Sequence, residues 1–462
     1  MTRPIHDTIA AISTPPGRGG VGIVRISGPL ALNLAEKITH KQLKIRQAIF
    51  AEFYDDQHQI IDEGVVIFFK GPFSFTGEDI VEFQGHGSPI TLALLLKRLF
   101  NLGARPAKPG EFSERAFMND KLDLVQAEAI SDLIEAASER AARLAIKNLK
   151  GEFSRKILAF QESLTNLRVY VEAAIDFPEE EIDFLSDGKI LKSLSERIEE
   201  LSFLFKQAHQ GVALKEGLNV VLAGYPNAGK STLLNCLSGK ESAIVTDIPG
   251  TTRDVMREHI LIDGMPLHII DTAGLRESND PIEQEGIRRA WCEINEADHI
   301  LLLIDVEHLH DLENIYHDFV KKINHIPCTV IVNKIDSIEN HDKMDQWIEK
   351  FESKPEFKHG ILPISAKKEK GIDQLRKHLN HIAGLDNLSE ENFFMARRRH
   401  LDALEKALNC LELGKNQLLQ HKAGELLAED LRQAQKNLSG ITGEFSSDDL
   451  LGKIFSSFCI GK

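Results

Sequence analysis

The segment Gly224-Tyr225-Pro226-Asn227-Ala228-Gly229-Lys230-Ser231 constrains this chain most, because a G-x-x-x-x-G-K-[ST] run requires a strand before it and a helix after it. The strand-like run Asn219–Ala223 supplies the strand, and a helix is expected from Ser231 or Thr232. The glycines let backbone N–H groups turn toward phosphate oxygens, Lys230 places a positive charge at the β- and γ-phosphates, and the Ser231 hydroxyl can ligate magnesium. A chance match in a chain of 462 residues is on the order of one in a hundred, which sets aside an ordinary glycine turn.

Three further segments narrow the base to guanine. Asp271-Thr272-Ala273-Gly274 follows the apolar strand Leu267–Ile270, where the Asp can hold a magnesium-bound water and the Gly N–H can sense the γ-phosphate. Asn333-Lys334-Ile335-Asp336 follows the strand Thr329–Val332, and the Asp336 carboxylate can accept hydrogens from both N1 and N2 of guanine, a pair adenine cannot supply. Ser365-Ala366-Lys367 closes the ring at the end of another strand. Each of the last two is weak alone. In this order, on strand ends, the segments specify a guanine-nucleotide site, with Asn227, Ala228, Gly229, Lys230, Ser231 and Thr232 around the phosphates.

Between the first two segments, the polar run Gly250-Thr251-Thr252-Arg253-Asp254 sits where GTPases carry their first switch, and Thr252 is the expected magnesium ligand there. Thr246, Asp247, Ile248 and Pro249 lead into it and complete the loop about the nucleotide. Leu275 follows Gly274 where Ras-like enzymes carry a water-positioning Gln. Leucine cannot orient water, so another group must supply the charge and the base. Asn227, with carbonyls of the loop Thr246–Thr251, can hold a monovalent cation against the phosphates in place of an arginine finger. Glu283 is the carboxylate placed to position the attacking water; its acidic neighbours Glu277, Asp280 and Glu285 make a solvated charged face the alternative.

The textures on either side differ from the nucleotide-binding stretch. From Thr8 to about Phe117, short β-rich runs such as Val21–Ile26 and Val65–Phe69 alternate with Gly/Pro-rich loops, with one helix over roughly Pro89–Leu102. From Lys121 the apolar residues Leu122, Val125, Ala129, Leu133 and Ala136 recur at helical spacing, and the pattern runs on past Leu164 to Ala174 before Phe177-Pro178 ends it. Strands then alternate with helices from Leu218 to about Leu379, which implies a parallel, doubly wound sheet. Helical patterning returns with Leu401, Leu404, Leu408 and Leu411, then Leu427, Leu431, Ala434 and Leu438. Alone, each helical segment would leave an apolar stripe in water, so the two are expected to pack together as one bundle with the α/β unit inserted between them. The expectation is a multidomain α/β and α chain: an N-terminal α+β domain over 1–119, a split all-α helical domain over 120–214 and 380–462, and an inserted Ras-like P-loop α/β G domain over 215–379.

Composition adds limits. With 42% hydrophobic residues the chain can bury a large core, and its length suggests two to four domains. The 55 basic against 70 acidic residues give a net charge of −15, which opposes long-range attraction to polyanions, so any nucleic-acid contact is expected to be local. The cysteines Cys236, Cys292, Cys328, Cys410 and Cys459 form no CxxC pair or zinc-like spacing, which fits a reducing compartment. Met1-Thr2-Arg3-Pro4 lacks a signal-peptide core, and the apolar runs Leu92–Leu96 and Ile300–Ile304 are too short to span a bilayer; the expected location is cytosolic, with no membrane partner.

The strings GYPNAGKST, VTDIPGTTRD, HIIDTAGLRE and the C-terminal FCIGK together resemble the MnmE (TrmE) family of tRNA-modification GTPases, over Pro15 to Lys462. The resemblance implies a G domain inserted into a helical domain, a homodimer, and G domains that pair across their nucleotides when potassium is bound. It implies potassium contacts from Asn227, Thr246, Ile248 and Thr251, magnesium contacts from Ser231 and Thr252, and a catalytic role for Glu283. It further implies a FAD-dependent partner, MnmG, in a heterotetramer or larger complex that adds a carboxymethylaminomethyl group to C5 of the wobble uridine of certain tRNAs. A 5-formyl- or 5,10-methylene-tetrahydrofolate would supply the one-carbon unit, held in an N-terminal folate-binding and dimerisation domain by Arg25, Glu82, Lys121 and Lys462. That set is chemically reasonable, since a pterin needs an acidic acceptor and a glutamyl tail favours basic neighbours. The competing reading is a regulatory or ribosome-assembly switch, which would need neither the N-terminal domain nor the FCIGK tail.

Gly17-Arg18-Gly19-Gly20-Val21-Gly22 satisfies G-x-G-x-x-G, but it leads into the strand-like Ile23–Ile26 and opens no helix, so a dinucleotide site is rejected. Cys459 is fourth from the end, yet Gly461 is not aliphatic, which argues against prenylation. Proximity to the folate site, which the resemblance suggests, and simple packing of the tail remain the two readings of Cys459. Arg397-Arg398-Arg399-His400 can touch tRNA phosphates or form a surface patch at a helix start.

Overall fold

The computed structural model describes residues 7–176, 188–225, 227–238, 257–262, 264–271, 297–320, 326–338, 341–385, 393–421, 424–444 and 448–461. By their mutual contacts the residues form two units, one from Met1–Ile134, Lys147–Ile198 and Lys406–Lys462, the other from Glu135–Ile146 and Glu199–Glu405.

The first unit holds a six-stranded sheet of β1 (Ile9–Ile12), β2 (Gly19–Ser27), β3 (Ile49–Tyr54), β4 (Ile60–Phe69), β5 (Ile80–Gly87) and β6 (Arg105–Pro106). Its order is β3-β4-β5-β2-β1-β6, antiparallel except for the β1–β6 pair. Side chains alternate between faces along a strand, so Val24, Ile26, Val81 and Phe83 enter the core beneath the helices Ala31–Thr39 and Pro89–Asn101, while Arg25 and Glu82 take the other face. The Gly17–Gly22 run enters β2 directly, as the rejection of a dinucleotide site requires.

In the same unit the helix Leu124–Ile134 opens on a reciprocal cap: Gln126 N donates to Asp123 Oδ1 at 2.8 Å and Asp123 N to Gln126 Oε1 at 3.0 Å. The helix Glu152–Asp176 packs along Gly424–Thr442, burying Leu164, Leu167 and Val171 with Leu427, Leu431, Ala434 and Leu438. Polar bonds set their register: Gln161 Nε2 donates to Ser439 Oγ (2.9 Å), Arg168 to Gln435 Oε1 (2.7 Å) and Gln435 Nε2 to Thr165 Oγ1 (2.7 Å). One helix from each of the two stretches expected to pack across the intervening sequence is paired here, while 135–146, 199–214 and 380–405 group with the second unit. The run from Leu122 to Ala174 is not one helix: Ala136 falls between helices, and Gly151, at φ 77°, separates Glu152–Asp176 from Glu139–Leu149, most of which belongs to the second unit.

The second unit holds β7 (Leu218–Gly224), β8 (Arg257–Ile262), β9 (Met265–Asp271), β10 (His299–Asp305), β11 (Cys328–Asn333) and β12 (Ile361–Pro363), ordered β12-β11-β10-β7-β9-β8. Every pair is parallel except the β8–β9 hairpin. Strands in such a sheet are covered on both faces, which is why β7, β10 and β11 are almost wholly buried and read as continuous apolar runs. The stretch enters after the helix Lys189–Glu216 and leaves before Arg398–His421, and Arg398 Nε meets Glu216 Oε2 at 2.8 Å, so entry and exit lie side by side. Among the described residues no helix is long and apolar enough to cross a membrane.

Candidate functional site

Because β7, β9, β10, β11 and β12 are parallel, their carboxyl ends share one sheet edge, and that edge collects Gly224, Asp271, Asp305, Asn333 and, just past β12, Ser365. The strand order reverses at β7, with β9 to one side and β10 to the other, and ligands of open α/β sheets bind at such a switch point. Gly224 has φ 147°, and a Cβ there would lie 2.2 Å from the Leu303 carbonyl oxygen. Gly229 has φ 97°, with a Cβ position 2.4 Å from Asn333 Nδ2. Asn227 itself adopts a left-handed φ of 66°. The helix Lys230–Ser238 begins one residue earlier than expected, so its free N–H groups follow the loop at once, a ready anion site. Lys230 Nζ donates to the carbonyls of Gly224 (2.8 Å) and Tyr225 (3.2 Å).

The base side is built by hydrogen bonds between loops. Asn333 is 2% exposed; its Nδ2 donates to the Ala228 carbonyl at 2.8 Å and its Oδ1 accepts from Ala366 N at 3.0 Å. The asparagine thus fastens the phosphate loop to the Ser365–Lys367 loop. Ser365 Oγ donates to Asp336 Oδ1 at 2.5 Å. That bond, with the charges of Lys367 and Lys368, holds the Asp336 carboxyl below its ordinary range, so it is an acceptor at neutral pH. Lys334 has φ 65°, and its ammonium meets Asp305 Oδ2 at 2.6 Å. Motif reasoning missed Asp305; the one available signal was an acidic residue at the end of an apolar strand in step with Asn333.

Asp271 closes β9 opposite Leu222 of β7. Thr246, Asp247, Ile248, Pro249, Gly250, Thr251, Thr252, Thr272, Ala273, Gly274 and Glu283 lie outside the described residues, as does Lys462.

In the first unit Arg25 and Glu82 are cross-strand partners joined at 2.8 and 2.9 Å, with the guanidinium 5.6 Å from the Phe75 ring centroid and 5.7 Å from that of Phe112. Lys121 is exposed beside Gly77. The chain end returns to this region: Gly461 has φ 92°, and its Cβ position is 2.2 Å from the Ile12 carbonyl oxygen, where β1 ends. Cys459 is exposed and its carbonyl accepts from Gly110 N at 3.3 Å, whereas its neighbour Phe458 is buried, as is Phe455. Arg398 of the basic run is paired with Glu216, and Arg397 N donates to His400 Nδ1, the geometry of a helix start.

Comparison with known proteins covers nearly the whole chain. The family model "GTP-binding protein TrmE N-terminus" matches residues 8–121, and "MnmE helical domain" matches 124–459. The tRNA modification GTPase MnmE of Vibrio cholerae serotype O1 is 55% identical over 460 residues, 99% of each chain. The protein of the same name from Legionella pneumophila (strain Paris) is 55% identical over 458 residues, again 99% of each. That of Histophilus somni is 56% identical over 460 residues, covering 99% of this chain and all of the other. On the strength of both domain matches and these full-length identities, the chain belongs to the MnmE (TrmE) family.

Proposed function

We propose that the protein hydrolyses GTP and acts in tRNA modification, with hydrolysis assisted by potassium. The observation that carries the reading is the shared sheet edge: the phosphate loop, Asp271 and the Asn333–Asp336 and Ser365–Lys367 loops come together there, in a chain of the MnmE family. Water attacks the γ-phosphorus, the bond to the β–γ bridging oxygen breaks, and GDP and inorganic phosphate leave.

The residues fit the ions by donor chemistry. The Asn227 amide oxygen and the Ser231 hydroxyl, at the loop and at the first turn of Lys230–Ser238, are hard oxygen donors of the kind that potassium and magnesium take. Ser231 and Thr252 would hold magnesium; Asn227, Thr246, Ile248 and Thr251 would hold potassium. When bound, the monovalent ion would supply positive charge at the phosphates, and Leu275 in the glutamine position has no polar group to stand in for it. Glu283 orients the attacking water, and Asp336 selects guanine.

The wider reading follows the family. The protein works as a cytoplasmic homodimer with the FAD-dependent partner MnmG on the wobble uridine of tRNA, using a tetrahydrofolate one-carbon unit. The Arg25–Glu82 pair supports a pterin site: a carboxylate acceptor lies beside a cation, flanked by two aromatic rings, and Glu82 Oε2 has the Gln84 amide only at 3.5 Å.

Steady-state turnover in potassium against sodium tests the mechanism. Turnover is expected to fall at least about tenfold in sodium with GTP affinity changed by less than about twofold, as a charge acting in the transition state requires. Equal rates in the two salts would remove the cation from the mechanism.

A further inference from the structure

Asp305 belongs to none of the nucleotide motifs, yet it stands among them. It ends β10 in register with Asn333, and two residues earlier Leu303 is in register with Gly224 of the phosphate loop. Its side chain is 16% exposed; Oδ2 accepts from Lys334 Nζ at 2.6 Å and Oδ1 accepts from Glu307 N at 3.2 Å. One carboxylate therefore caps the turn after its own strand and grips the lysine of the neighbouring loop.

Lys334 is also fixed at its other end. Its backbone is left-handed, an unusual state for a residue with a side chain, and the surroundings impose it. Ser337 N donates to the Lys334 carbonyl at 2.9 Å, Ile335 N donates to the Ile364 carbonyl at 3.2 Å, and the Asn333 side chain just before it is bonded on both sides. With Cα and Nζ both tied, the methylenes between them form an ordered apolar strip, two residues from Asp336. A planar base held at its edge by a carboxylate needs an apolar surface against its face, because water on that face competes for the same hydrogen bonds.

We infer that Asp305 is a positioning residue for the guanine nucleotide: by holding the Lys334 ammonium it keeps the lysine stem in place as a wall for the base, and so sets how long the nucleotide stays bound. This deepens the GTP reading above and rests on it. Base selection stays with Asp336 and the chemical step with the phosphate side of the site.

The test uses the full-length protein with fluorescent GDP in stopped flow and with GTP in steady state. Asp305→Asn keeps an Oδ1 for Glu307 N but loses the charge that holds the ammonium. GDP release should quicken about five- to tenfold and KM for GTP should rise in step, the size expected of one charge-assisted bond partly open to water, with kcat at saturation within about twofold. Lys334→Met keeps the stem and lacks the ammonium, so adding Asp305→Asn to it should change release by less than about twofold. Unaltered release in Asp305→Asn, or the same acceleration in both backgrounds, would overturn the tether. If the parent chain bound no guanine nucleotide at all, the GTP reading would fall with it; normal binding by the parent and an unaffected Asp305→Asn would sink the tether alone.

Discussion

Asn333 shows that a motif residue can also hold the protein together. The N-K-x-D pattern names it as part of a guanine site, and within the protein its amide also bonds the Ala228 carbonyl and the Ala366 N–H. Neither bond was legible in the sequence, because Ala228 lies 105 residues away and nothing in local spacing connects the two. Removing the side chain leaves a buried carbonyl and a buried N–H without partners, each costing about 1–3 kcal/mol. Asn333→Ala should therefore lower the unfolding free energy of the second unit by about 2–6 kcal/mol in urea denaturation, and raise KM for GTP by loosening the phosphate loop. Gly229→Ala offers an independent check, since its Cβ would press on the same amide at 2.4 Å from a backbone with φ 97°. If both act through the one latch, the double variant loses less than the sum of the singles; full additivity would mean that Gly229 serves the loop in some other way.

At the scale of elements, the strands of the inserted sheet were the easiest part to foresee. Asn219–Ala223, Leu267–Ile270 and Thr329–Val332 are apolar apart from Asn219, His268 and Thr329, because parallel strands covered on both faces have no wholly polar side to show. The helices were foreseen as patterns but not as separate pieces: apolar spacing carries the eye from Leu122 to Ala174, while the breaks near Ala136 and at Gly151 depend on backbone turns that spacing does not encode. Asp305 escaped notice for a related reason, as an acidic residue after an apolar run marks almost any strand end. β10 also brings a buried histidine. His299, 1% exposed at the start of the strand, has Nε2 2.8 Å from Thr329 Oγ1 of β11, and the Thr329 hydroxyl is 2.8 Å from Nε2 of His378 on Ile372–Ile382. Burial, then the neighbouring His378 and His359, push its pKa from 6.5 down to about 4. The unfolded chain binds this proton below about pH 6.5 while the folded one refuses it until about pH 4, so stability is lost as pH falls through that window. The loss from this group alone is roughly 3 kcal/mol. Chemical denaturation across pH should show His299→Gln with a flatter slope between about pH 6 and 4, whatever its absolute stability; an unchanged slope would place the uptake on other groups.

For the molecule as a whole, the consequence of insertion is that one unit is covalently interrupted by the other without being structurally interrupted. The interface of Glu152–Asp176 with Gly424–Thr442 is made from residues on both sides of the inserted sheet in sequence. Within the second unit, the Arg398–Glu216 pair at 2.8 Å sets the chain entering the sheet beside the chain leaving it, and close termini are what make a compact unit tolerable as an insert. Phe393, Phe394, Met395 and Ala396 are all buried just before the returning helix, and the Gly211 Cβ position lies 2.1 Å from the Phe394 carbonyl oxygen, so the returning chain is packed on Lys189–Glu216 before it leaves again as Arg398–His421. It follows that residues 218–392 should be replaceable by a flexible linker of about six glycines and serines, whose reach is enough to join neighbouring ends. The shortened protein is expected to lose GTP hydrolysis entirely, to keep the helical and β content of the first unit in circular dichroism, and to unfold in one cooperative transition. A molten or aggregated product would mean that the split helical segments need the inserted sheet to find one another, and that the closeness of Glu216 and Arg398 is imposed by the insert instead of offered to it.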